Sequence, residues 1–172
     1  MHYAHLPAGY IASKLLFRKF EKSPVKFNRF VFFGMVGAIT PDLDLLYYFL
    51  VDQKQHHHHG YFTHFPLFWL SFLFISIVWL QLDNNRHQSP ALAFIFTCNG
   101  FLHMILDTIV GTISWLEPFV QIYPPTNLGK YMPWDSRYLE LFVFLWALYL
   151  WKKPQIKGLF NRLHSSLDMI EK

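Results

Sequence analysis

Seventeen consecutive residues, Pro66 to Leu82, carry no charge, and this run limits the folds open to the chain. As a helix rising about 1.5 Å per residue it spans roughly 26 Å, near the lower limit for crossing a hydrocarbon core of about 30 Å. A second run, Pro90 to Leu106, is interrupted only by Thr97, Asn99 and His103. A third, Leu141 to Trp151, is short for a span unless Tyr138 to Glu140 are added. Residues 30 to 51 are apolar but contain Thr40-Pro41-Asp42-Leu43-Asp44. Proline lacks a backbone donor and disfavours helical geometry in the preceding residue, which predicts a bend or two helical pieces there. Residues 8 to 20 read as a short amphipathic helix, with Ile11, Leu15 and Leu16 opposite Lys14 and Arg18. Asp83 to His87 predict a tight connection, and the Pro- and Gly-containing residues 118 to 137 a longer loop.

The expectation is an all-α, membrane-embedded bundle of about four main helices with short flanking helices, forming one unit over residues 1–172. Hydrophobic residues make up 53% and charged residues 15%, the latter below the roughly 25% of ordinary soluble domains. The net charge of +4 comes from residues that flank apolar runs. Lys14, Arg18, Lys19, Lys22, Lys26 and Arg29 precede the first long run, and Lys152, Lys153 and Lys157 follow the last. Positive charge held on the cytoplasmic side orients a membrane protein; this placement argues against nucleic acid as a partner and for the lipid bilayer. Four spans would put both termini in the cytoplasm and the loops 52–65 and 112–137 outside; two spans, with the broken first segment and the last one packed at the interface, satisfy the charge rule as well. The N-terminus has no basic stretch followed by an apolar core, the pattern of a cleavable signal peptide. Cys98 lies inside an apolar run and has no second cysteine to pair with.

The residues able to carry chemistry are histidines and aspartates. His103 and Asp107 are four apart at the end of an apolar helix and therefore share a face. A charge at the bilayer centre costs on the order of 3 kcal/mol, so such residues pair, line a polar interior or serve a function. Asn99 is one turn back on that face, and Gly100 and Gly111 leave room for another backbone. Asp42 and Asp44 flank the predicted break, where they serve either as hard metal ligands or as helix caps. In the run His56-His57-His58-His59-Gly60-Tyr61-Phe62-Thr63-His64, several imidazoles beside a glycine can fold around an ion. His64, immediately before the uncharged run, is the sharpest candidate there. His5 is a weaker candidate, and His2, His87 and His164 read as surface residues.

Four pieces occur in order: His5 before a small-residue stretch, Pro41-Asp42-Leu43-Asp44, the His-rich segment ending in Thr63-His64, and Gly100-Phe101-Leu102-His103 followed by Asp107. Together they resemble the YdjM-like, inner-membrane-associated metal-dependent hydrolases over roughly residues 2 to 120. That family is similar in motif order to zinc-dependent phospholipase C. The resemblance implies a bacterial inner-membrane hydrolase acting on a phosphoester or lipid substrate. It implies one or two divalent ions, zinc first among them, held by His5, Asp42, His64, His103 and Asp107. Asp44 or one of the loop histidines would accept a proton from water, with His57 and His58 as further candidates for ligation or transition-state contact. His59 stands where the family commonly has arginine, with one extra residue before Thr63. The His-x-x-x-Glu pair that completes the phospholipase cluster has no counterpart. Two rivals remain open on the residues alone: a non-enzymatic metal-handling protein dependent on His56 to His59, and a structural membrane protein whose buried polar groups only pair helices.

Overall fold

The computed structural model describes residues 3–55, 58–84, 86–120, 128–131 and 135–170, without the side chains of 58, 129–130 and 159–170. His2, His56 and His57 and the side chains of His58 and His164 therefore lie outside the described set. Among the described residues the regular structure is all helical, with no β-strand. Six helices follow one another: α1 (His5–Phe17), α2 (Phe27–Ile39), α3 (Asp44–Leu50), α4 (Pro66–Asp83), α5 (Ser89–Val110) and α6 (Ser136–Ile170). Short 3-10 turns at Pro41–Leu43, His58–Gly60, Phe62–His64 and Leu128–Tyr131 link them.

Proline and local capping set the boundaries. Pro66 and Pro90 occupy the first turns of α4 and α5, where a missing N–H is harmless and the fixed φ suits a helix. Asn84 ends α4 in the left-handed region at φ 51°, and the Asp83 carboxylate accepts from the backbone N–H of His87 at 2.8 Å. Pro41 breaks the apolar segment as expected, with α2 and the piece from Pro41 to Leu50 meeting at 52°.

α4 and α5 are each long and apolar enough to cross a membrane, and the bent pair makes a third candidate if it is one span. Leu141 to Trp151, which only the four-span arrangement needs as a span, is not in this set. α6 is 35 residues long but carries Pro154 and a polar second half. Lipid explains the outer surface: Phe74, Ile75 and Leu82 of α4 and Phe142 of α6 are each more than half exposed, and a soluble monomer rarely leaves such apolar area in water.

α2 packs between α1 and α5. Contact is close because Gly34 and Gly37 present no side chain: a Cβ at Gly34 would lie 1.9 Å from Ser13 Oγ, and one at Gly37 2.1 Å from the Phe96 carbonyl oxygen. The face that α1 buries is therefore largely small or polar, with His5, Ala8, Gly9 and Ser13 beside Ile11, the last an apolar residue expected there. Leu15, expected on the buried face, is 42% exposed; backbone proximity selects small side chains and turns the leucine outward. Asn99 donates to Ser13 Oγ at 3.3 Å and to the Ile95 carbonyl at 2.9 Å, tying α5 to α1. At the end where α1 turns into α2, Phe20, Val25, Phe30, Ala91 and Ile95 form the apolar core. The opposite end is polar.

Candidate metal centre

That polar end gathers the ends of four helices. His5 lies in the first turn of α1, Asp42 in the break after α2, His64 in the turn that feeds α4, and His103 and Asp107 one helical turn apart near the end of α5. The five residues that the resemblance implied as metal ligands are thus together in space. His59, from the turn His58–Gly60, joins them.

Asp107 is the hub. Its Oδ1 is 3.1 Å from His5 Nε2, and its Oδ2 is 3.0 Å from His103 Nε2, 3.6 Å from His64 Nε2 and 3.7 Å from His59 Nε2. Asp42 Oδ1 lies 3.6 Å from His103 Nε2 and 3.7 Å from His64 Nε2. The His5 and His103 rings stack at 3.7 Å with 13° between their planes. Side-chain exposure is at most 3% for His5, His64, His103 and Asp107, against 19% for Asp42 and 12% for His59. The cluster is therefore closed by protein except on its Asp42 and His59 side.

The outer nitrogens fix how the rings present themselves. His103 Nδ1 lies 2.7 Å from the Ala38 carbonyl, which can only accept, so Nδ1 carries the hydrogen. His64 Nδ1 lies 2.7 Å from Asp44 Oδ2, which also accepts from Thr63 Oγ1 at 2.5 Å. Trp69 Nε1 in turn donates to the Thr63 carbonyl at 2.7 Å. Both rings thus turn Nε2 into the cluster, held from behind as metal-binding histidines are. Burial by itself lowers the His64 pKa, but the carboxylates of Asp42 and Asp44 outweigh it and raise the value to about 9.

The donor set fits a metal. His103 Nε2 and Asp107 Oδ2 are buried, 3.0 Å apart, and neither makes a hydrogen bond among the described residues. With Nδ1 already protonated, a neutral His103 offers a lone pair to a carboxylate oxygen; two facing acceptors need a proton or a metal ion between them. The ligand atoms of a tetrahedral zinc at about 2.0–2.2 Å stand roughly 3.3–3.6 Å from one another. The four His-to-Asp edges among His64, His103, Asp42 and Asp107 run from 3.0 to 3.7 Å, all longer than the roughly 2.7–2.9 Å of a charge-assisted hydrogen bond. Within the same cluster, His5, Asp42 and His103 form one trio placed so that it could hold an ion, and His59, His64 and Asp107 another.

Asp44 sits behind His64, on Nδ1, away from the face where the Nε2 atoms converge. From the run of four histidines, His59 turns its ring inward, with Nδ1 3.2 Å from the Thr112 carbonyl; the side chain of His58, the candidate named from the sequence, lies outside the described residues. A Cβ at Gly111 would lie 2.7 Å from His59 Cε1. That glycine, one turn beyond Asp107, had been expected to admit another backbone and instead makes room for this ring. Gly100 likewise makes room for a side chain, the Trp69 indole, where another backbone had been expected. His87 is on the surface, paired with Asp83 at 2.6 Å.

An all-helical membrane protein with a buried His/Asp cluster at one end of its bundle is the class that fold and site define. The chain belongs to the YdjM inner membrane protein family, which it matches over residues 2–165. It is therefore an integral protein of the inner membrane. No curated protein and no solved structure matches it.

Proposed function

We propose that the chain is a membrane-bound metal-dependent hydrolase, with water activated by one or two divalent ions at the His/Asp cluster and a phosphoester as substrate. The observation that carries this reading is the facing pair His103 Nε2 and Asp107 Oδ2, two buried acceptors 3.0 Å apart with no hydrogen-bond partner among the described residues. Imidazole nitrogen with carboxylate oxygen is a zinc donor set. When bound, the ion supplies Lewis-acid polarisation of the bond to be cut and acidifies water.

The chain's own residues do the rest. His64 and His103 hold Nε2 toward the centre because Asp44 and the Ala38 carbonyl engage their Nδ1 atoms. Asp44 is in this reading a positioning residue rather than a direct proton acceptor. Asp42 and His59 border the open side, so substrate approaches past them, and His59 is the imidazole best disposed to take a proton there. The phosphoester class rests on the motif resemblance; with His59 where the family commonly carries arginine, the ion is left to meet the phosphate charge.

Charge distribution orients the centre. Arg18, Lys19, Lys22, Lys26 and Arg29 surround the α1–α2 turn, and Arg86 lies in the α4–α5 connection. Arg29 bonds Gln88 at 3.0 Å, joining these two connections at the end away from the cluster. The positive-inside rule makes that end cytoplasmic and turns the cluster outward. In this orientation α1 begins at the outer end, which is how His5 reaches ligands that a four-span arrangement would put across the membrane.

Detergent-purified, zinc-loaded protein should hydrolyse members of a chromogenic phosphomonoester and phosphodiester panel, and His103→Ala/Asp107→Ala should not. Turnover unchanged in the double variant would refute the assignment; metal held without turnover of any ester would make the chain a metal-binding protein instead.

A further inference from the structure

A groove of about 470 Å³ runs along the outside of α1, between α1, α2 and α6, with Tyr10, Val31, Met35, Ala147 and Trp151 among its lining residues. Its volume is in the range of small-ligand sites, about 300–1,000 Å³. Apolar side chains line it, and the cations gather at one end. There the Lys14 ammonium donates to Tyr10 Oη at 3.0 Å and to the Leu150 carbonyl. Within a helix that carbonyl would accept from residue 154, but Pro154 has no N–H. Lys14 fills the vacant place and is thereby fixed at the end of the groove. An ammonium has three donors, and two are used among the described residues. Lys152 Nζ stands 4.4 Å from the centroid of the Trp151 ring. Each of the two aromatic residues at this end therefore carries a cation.

The apolar face is also short. α1 has 13 residues, about 20 Å of helix, and the apolar stretch of α6 ends at Trp151, before Lys152 and Lys153. A bilayer of about 30 Å core thins beside so short a face and brings headgroups to the flanking cations. A slot that is apolar along its length and cationic at one end complements an amphiphile with an anionic head.

We propose that this groove binds an anionic phospholipid, one acyl chain lying against Met35 and Ala147 and the phosphate meeting the Lys14 and Lys152 ammonium groups. The site is separate from the His/Asp cluster and does not depend on its chemistry.

Native mass spectrometry of the full chain, released from detergent containing equal phosphatidylglycerol and phosphatidylcholine, tests this directly. Wild type should retain phosphatidylglycerol preferentially, each lysine contributing about fivefold, or about 1 kcal/mol. Lys14→Gln/Lys152→Gln, which keeps an amide donor near the Leu150 carbonyl, should lose the preference. Ala147→Phe should fill the groove and lose the lipid with both cations in place. Equal melting temperatures would show that the variants fold. Equal retention of the two lipids, a preference unchanged in the lysine variant, lipid retained in Ala147→Phe, or a lipid-free dimer covering the groove would each overturn the proposal.

Discussion

Replacing Asp44 by alanine should weaken metal binding without abolishing it. The carboxylate touches none of the converging Nε2 atoms. Through Oδ2 it holds His64 Nδ1 at 2.7 Å and Thr63 Oγ1 at 2.5 Å. Hydrogen bonds to a charged group contribute about 1.5–3 kcal/mol each, and removal of such a partner behind a metal-binding histidine typically lowers metal affinity about 10–100-fold. That range corresponds to roughly 1.4–2.7 kcal/mol. Zinc titration against a chromophoric competitor should therefore give Asp44→Ala unchanged stoichiometry and a Kd raised about 10–100-fold, while Asp107→Ala should hold no stoichiometric zinc. Asp44→Asn, which keeps an acceptor and loses the charge, should fall between wild type and Asp44→Ala. A Kd within about twofold of wild type for Asp44→Ala would refute the positioning role. Complete loss of binding, as in Asp107→Ala, would make Asp44 a ligand.

Two further outcomes follow from packing and protonation. Gly37→Ala would set a Cβ 2.1 Å from the Phe96 carbonyl oxygen, backbone that cannot swing aside, so α2 and α5 must separate. Overpacking of this kind costs typically about 1–3 kcal/mol, read as a lower melting temperature in detergent, and an unchanged melting temperature would contradict the packing described. In the chelator-treated protein, His64 has a pKa raised from 6.5 to about 9. Its protonated form is favoured by folding, so the contribution is full below pH 6.5 and is lost as pH rises through about 9. The melting temperature of the chelated protein should fall across that window; a rise there would refute the assignment of a proton to this ring.

Much of the site was legible because its parts obey local rules. His103 and Asp107 share a helix face by their spacing alone, and Pro41 both breaks the apolar segment and places Asp42 at the break. Uncharged length marked α4 and α5. What local rules do not carry is the choice among neighbours in irregular chain. Nothing in four consecutive histidines says that His59 turns inward; the turns before α4 and the space above Gly111 decide it. Asp44 and Asp42 looked alike as carboxylates two residues apart, and only the tertiary position of Thr63 and His64 assigns one to the back of a ring and the other to the converging set. The face of α1 misled for a related reason. Leucines on an amphipathic helix point inward when water is outside, but beside lipid the buried face is selected by close approach: Ile11 is buried as expected, Leu15 turns outward, and His5, Gly9 and Ser13 complete the buried face.

Metal content by mass spectrometry, on detergent-purified wild type beside His103→Ala/Asp107→Ala after dialysis, tests the central claim most directly. The convergence of His5, Asp42, His59, His64 and His103 around Asp107 predicts one or two tightly held divalent ions per wild-type chain and essentially none in the double variant. No retained metal in the wild type, or equal metal in both proteins, would contradict it.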